Sequence, residues 1–175
     1  MIRKSAKWAC GIAAIVGLTV ALHGNEIRTS EKGLLLIGNA EGCQRKPYHC
    51  PADVLTFGIG TTDTVEKIIP NKIYTDKEIA NAFAKGVQQA EKCVNTYANG
   101  QTMPQGAFDA LTSITFNVGC SKLKNSTLFK MARKGYSKAM CGQFERWIYA
   151  GGKPLKGLIE RRQKEKALCL TSLTS

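Results

Sequence analysis

The sequence predicts an α+β protein, with a small β-hairpin lobe early, a mainly helical lobe late, and one long helix joining them. Three observations carry that expectation. Val54 to Ile59 is β-branched or apolar, and Gly58 and Gly60 suit a tight hairpin. Thr75-Asp76-Lys77-Glu78 is a capping box, behind which Ile79, Phe83, Val87, Ala90 and Val94 recur at helical spacing to about Tyr97. From Pro104 onward the apolar pattern is helical throughout. A chain of 175 residues can bury one good core, or two small lobes sharing a helix. The lobes are expected at about residues 25–80 and 98–175, behind a separate segment at residues 1–24.

That first segment reads as an export signal. Arg3, Lys4 and Lys7 form a basic start, and nothing from Trp8 to Leu22 is charged. As a helix those fifteen residues would span roughly 22 Å, short of a hydrocarbon core of about 30 Å. Gly11, Gly17 and Thr19 weaken it further, so it is a marginal span that holds and later lets go. Thr19-Val20-Ala21 is the nearest approach to a cleavage site, and Cys10 within the run argues for retention. The expected partners are therefore a secretion machinery and the membrane it serves, through residues 8–22.

Next, Thr29 or Ser30 can cap a helix whose apolar face, Leu34, Leu35, Ile37 and Gly38, ends near Glu41. Pro47 and Pro51 forbid its continuation, so a polar turn should precede the Val54–Ile59 strand. Pro104 suits the first turn of a buried helix with Phe108, Leu111, Ile114 and Phe116, stopping at Gly119. Short helical pieces at Leu123–Lys134 and Ser137–Tyr149, a Gly151-Gly152 break and a last helix from about Leu158 to Cys169 complete the chain.

With 43% hydrophobic and 22% charged residues the chain is an ordinary globular protein. A net charge of +12 favours polyanions, but no zinc-finger spacing or RNA-binding aromatic signature points to nucleic acid. Seven cysteines, Cys10, Cys43, Cys50, Cys93, Cys120, Cys141 and Cys169, lie without a Cys-x-x-Cys pair, and only His23 and His49 could join them on a metal. Neither a metal nor a cofactor is expected. The spacing suits disulfides formed outside the cytoplasm, and the odd count leaves one thiol over.

Glu41, at the end of an apolar helix beside a tight turn, can serve as the acid that protonates a glycosidic oxygen. Cys50 lies on the facing turn, and Thr56 could hold a water from the hairpin. A bland alternative is a solvated surface glutamate. A Cys50–His49 nucleophile pair is disfavoured, because neighbours along a strand point to opposite faces.

The pattern Glu41, eight intervening residues, Cys50, five more, Thr56 and Gly58-Ile59-Gly60 resembles the Glu–Asp–Thr signature of the bacteriophage-type lysozymes. Glu41-Gly42, Lys46-Pro47-Tyr48, Phe116-Asn117-Val118-Gly119, Gly151-Gly152-Lys153, Gly157-Leu158 and Arg161-Arg162 extend the likeness over residues 29–170. With the weak N-terminal span, the chain is similar to a signal-anchor-release endolysin. The resemblance implies a lysozyme-like fold and hydrolysis of the β-1,4 bond between N-acetylmuramic acid and N-acetylglucosamine in peptidoglycan, by a monomer that lyses the host. It implies Glu41 as proton donor, Thr56 as water-positioning residue and Arg161 as the basic partner of Glu41. Two positions depart from the pattern. Cys50 stands where the family has aspartate, with Asp53 the nearest carboxylate that might replace it, and Thr61 stands where histidine is common. Rival readings are a lytic transglycosylase using Glu41 alone and a tethered, non-catalytic peptidoglycan-binding protein.

If Cys50 is catalytic, whatever bonds it silences the enzyme. Cys43, across a tight turn, is near enough for a disulfide with Cys50. On leaving the membrane Cys10 could attack Cys43, form Cys10–Cys43 and free Cys50 by thiol exchange. A Cys10–Cys50 lock and an inert Cys43–Cys50 staple are the alternatives. The protein would wait at the periplasmic face of the inner membrane and then act in the periplasm. Cys93, Cys120, Cys141 and Cys169 should form two structural disulfides, for which the resembled fold favours Cys120–Cys141 and Cys93–Cys169.

Overall fold

A computed structural model describes residues 6–50 and 53–173. Arg3, Lys4 and Pro51 lie outside the described residues. The first regular element is α1 (Ile12–His23), and α2 (Glu31–Glu41) follows after a short linker. A three-stranded antiparallel sheet comes next, in the order β1 (Gln44–His49), β2 (Leu55–Gly58), β3 (Thr61–Thr62). The long helix α3 (Asp76–Ala98) leads to α4 (Gln105–Val118) and three short helices, α5 (Cys120–Leu123), α6 (Thr127–Lys134) and α7 (Lys138–Gly142). A hairpin of β4 (Tyr149–Ala150) and β5 (Lys153–Pro154) precedes α8 (Lys156–Leu170). The α+β class, the β-bearing early lobe and the helical late lobe are as expected.

Two apolar cores flank α3. Ile15, Val16, Leu34, Ile37, Phe57, Ile79 and Phe83 belong to the first, and Val94, Phe108, Leu111, Phe129, Met140 and Phe144 to the second. The helix serves both because its N-terminal half faces one and its C-terminal half the other. Its start is as strong as the sequence suggests. The Thr75 side chain accepts from the Glu78 N–H while Glu78 accepts from the Thr75 N–H, a reciprocal cap. Ser30, not Thr29, caps α2, and Asp109 accepts from both the Ser30 N–H and hydroxyl.

The structure departs from the expectations at four places. Gln44–His49 is a strand rather than a polar turn. It is held by pairing, Tyr48 opposite Thr56 and His49 opposite Leu55, and the ladder shifts register between Gln44 and Tyr48, where Pro47 has no N–H to give. Residues 149–154 form a small hairpin across the Gly151-Gly152 turn, both glycines at positive φ.

Most of the apolar run at residues 8–22 is folded into the protein as α1. Ile15, Val16 and Thr19 are fully buried, and Thr19 turns its hydroxyl back to the Ile15 carbonyl. Among the described residues no helix is long and apolar enough to cross a membrane.

The favoured pairing Cys120–Cys141 and Cys93–Cys169 is wrong. The disulfides are Cys93–Cys120 and Cys141–Cys169, with Cα separations of 5.9 and 5.7 Å. The reason is packing: α4 lies between α3 and α8, so Cys93 on α3 meets the chain leaving α4, and Cys169 on α8 meets its neighbour α7. The third disulfide joins Cys10 to Cys43, and Cys50 is a free thiol.

Candidate active site

Glu41 is the last residue of α2. Gly42 follows at φ 75°, a conformation that ends the helix and turns the chain into β1. The carboxylate accepts from Arg161 Nη1 at 2.6 Å, and its side chain remains partly open at 21% exposure. Opposite it stands β1. Tyr48 and Thr56 are directly paired across β1 and β2, so their side chains share one face of the sheet. Burial, then the negative fields of Glu41 and Cys50, push the Tyr48 phenol up to about 12.

Cys50 follows β1 directly. Its N–H donates to the Val54 carbonyl at 3.0 Å and its carbonyl accepts from the Asp53 N–H at 2.8 Å, closing a tight turn. The thiol is half-buried. Asp53 sits at positive φ, 93% exposed, paired with His49 Nδ1 at 3.0 Å. It therefore faces solvent with His49, while the field of Cys50 reaches Tyr48. Thr56 is buried, and its hydroxyl donates to the Val54 carbonyl at 2.9 Å.

Behind Arg161 lies a buried cluster that sequence reasoning did not single out. Arg161 Nε donates to Glu165 at 3.2 Å, and its Nη2 donates to the Ser113 carbonyl at 3.2 Å. Glu165 also accepts from the Ser113 hydroxyl at 2.6 Å and lies 2.7 Å from Arg162 Nε. Arg162 in turn donates to Asn117 at 3.1 Å. Arg162 and Glu165 are wholly buried. Burial drives the Arg162 guanidinium down to about 10 and pushes Glu165 up, while the opposite charge of each partner resists. The signal was present in Arg161-Arg162-x-x-Glu165, a spacing that sets both arginines on the same helical neighbourhood as the acid.

Beside the acid, Gly60 and Phe116 form the wall of an open groove of about 290 Å³, lined also by Thr62, Thr64, Gly86 and Gln89. A Cβ on Gly60 would lie 3.1 Å from the Phe116 ring and 3.3 Å from the Glu41 side chain. The arrangement offers a carboxyl group held by a guanidinium, a thiol on the facing strand end and a groove that can admit a polymer. Among the described residues no cluster of side chains could hold a metal ion.

Residues 38–165 match the Phage lysozyme family model. The chain is 41% identical over 177 aligned positions to the SAR-endolysin of Escherichia phage P1, covering 95% of this chain and 93% of that protein. Its structure matches the crystal structure of the active form of the P1 phage endolysin Lyz with a TM-score of 0.86 at 40% identity, covering 95% of this chain and 97% of that one. Against the secreted inactive form of the same protein the TM-score is 0.59 at 40% identity, covering 83% and 97%. The chain thus belongs to the phage lysozyme family and is a peptidoglycan-hydrolysing enzyme of the endolysin type.

Proposed function

We propose that this enzyme is a muramidase, cutting the β-1,4 bond between N-acetylmuramic acid and N-acetylglucosamine. Glu41 donates the proton to the leaving oxygen. Cys50 is the second group, acting from the opposite side of the groove, and Thr56 holds the water. Arg161 fixes the Glu41 carboxyl and balances its charge once the proton has gone. The observation that carries this reading is the Glu41–Arg161 contact at 2.6 Å, facing a strand end on which the free thiol and Tyr48 converge.

The same reading covers activation. Residues 8–22 hold the protein at the periplasmic face of the inner membrane after export, with Cys50 bonded to Cys43. On release, the Cys10 thiolate attacks the Cys43 sulfur, the Cys43–Cys50 bond breaks, and Cys50 departs as the thiolate. One disulfide replaces another, so no oxidant or reductant is consumed. The Cys10–Cys43 bond, the free Cys50 and the buried α1 all suit the released state, as does the greater likeness to the active form of the P1 enzyme.

Product analysis on purified wall tests the assignment. The wild type should release reducing ends, Glu41→Gln should release none, and Cys50→Ser should lose at least about a hundredfold, the scale of losing one acid–base group. Anhydro ends in place of reducing ends would indicate a transglycosylase. Undiminished activity of Cys50→Ser would remove the thiol from the mechanism.

A further inference from the structure

We infer that Glu165 is a positioning residue for the reaction: it aims Arg161 at Glu41 and tunes the charge that the proton donor feels. This inference rests on the reading of Glu41 as the acid.

The geometry starts from a problem of aim. An arginine side chain has several rotatable bonds, and a bond from one terminal nitrogen to Glu41 would leave it free to swing. Here the guanidinium is pinned at all three nitrogens: Nε to Glu165, Nη2 to the Ser113 carbonyl and Nη1 to Glu41. Glu165 is itself fixed by the Ser113 hydroxyl and by Arg162, both wholly buried, and Arg162 is anchored on Asn117. The chain of contacts runs from the core of the late lobe to the acid on the early lobe, and Arg161 is its last link.

Charge gives the second half of the argument. Glu41 is faced from α8 by Arg161, with Arg162 and Glu165 behind it, and from β1 by Tyr48, whose phenol also feels Cys50 just beyond the strand end. The α4 groups of the cluster, Ser113 and Asn117, are neutral. With Glu165 ionised the two arginines present one net positive charge to Glu41; without it they present two. A second positive charge would favour the Glu41 carboxylate and deprive the enzyme of its acid at lower pH. A buried carboxylate placed between two guanidinium groups thus lets one arginine orient the acid while the charge of the second is offset. A purely structural ion pair would sit equally well far from the site. This one shares Arg161 with the acid.

The test uses the full-length released enzyme, with kcat, KM and the pH profile measured on purified wall for Glu165→Gln and Ser113→Ala. Glu41→Gln is run in parallel. Glu165→Gln should lower kcat about tenfold with KM little changed, because the acid is misaimed by a fraction of the distance that costs a hundredfold. Its alkaline limb should move to lower pH by about half a unit, the direction set by the lost negative charge. Ser113→Ala, which breaks the 2.6 Å bond and leaves the charge, should lower kcat without moving the limb. A folded Glu165→Gln enzyme with wild-type kcat and an unmoved limb would overturn the inference. Should Glu165→Gln fail to fold, Ser113→Ala decides: a lowered kcat at unchanged melting temperature supports the role, and wild-type kcat overturns it. An active Glu41→Gln enzyme would instead refute the reading beneath it, whatever the other variants do.

Discussion

Gly60 shows how little space surrounds the acid. Its φ of +66° is a conformation that costs a side chain about 1–2 kcal/mol, and a Cβ there would press on both Phe116 and Glu41. Gly60→Ala should therefore lose stability on that scale and lose more activity than its melting temperature explains, as paired calorimetry and wall-hydrolysis assays would reveal. Glu41 itself was legible, because an apolar helical face that stops at Glu-Gly marks a helix end. Cys50 was singled out by its spacing from Glu41 and Thr56 in the family resemblance, and the structure leaves it a free thiol just beyond β1. Glu165 was passed over: its spacing from Arg161 and Arg162 hinted at an ion-pair cluster, but a charged residue in a helix of mixed polarity reads as solvated until α4 packs on α8 and buries it. Asp53 illustrates the opposite error. Proximity in sequence made it a candidate, yet its left-handed backbone turns it to solvent beside His49.

At the scale of elements, α3 and α2 announced themselves by caps and periodic faces, whereas β1 did not. Gln44-Arg45-Lys46-Pro47-Tyr48-His49 has no strand pattern; its partners β2 and Ala9 hold it extended. Nor does α1 carry an amphipathic stripe, because it is apolar all round although only one side is buried. The α3 cap yields a pH prediction. Lys72, then Thr75, hold Glu78 at about 2, below its ordinary 4.5. A folded value below the unfolded one means stabilisation that is complete above the ordinary range and fades as pH falls through it towards about 2. The difference in melting temperature between wild type and Glu78→Gln should shrink over that interval. Docking of α1 makes a second prediction. A Cβ on Gly38 would lie 2.7 Å from Ile12, so Gly38→Val should obstruct the packing of α1 on α2. On the proposed exchange, thiol labelling of this variant should then find Cys10 reactive and Cys50 blocked.

For the whole molecule, charge is unevenly shared. Thirteen of the 25 basic residues but only three of the 13 acidic ones lie from Cys120 onward. Attraction to an anionic wall should follow, and hydrolysis rates on intact wall should fall as salt shortens the screening length from about 10 Å at 0.1 M towards 3 Å at 1 M. Rates on a soluble neutral fragment should change far less. Disulfide connectivity belongs to this scale too: cysteine spacing allowed three pairings of the late lobe, and only the position of α4 chose among them. The bond between Cys10 and Cys43 carries one more implication. It closes a loop of 33 residues around the linker between α1 and α2, with Ile15 and Val16 interred beneath. A protease that nicks the linker would leave the severed N-terminal peptide stitched to the strand it serves, detachable only by a reductant. An intact chain is bound by the same stitch, so α1 should stay docked on α2 and α3 until that bond is reduced.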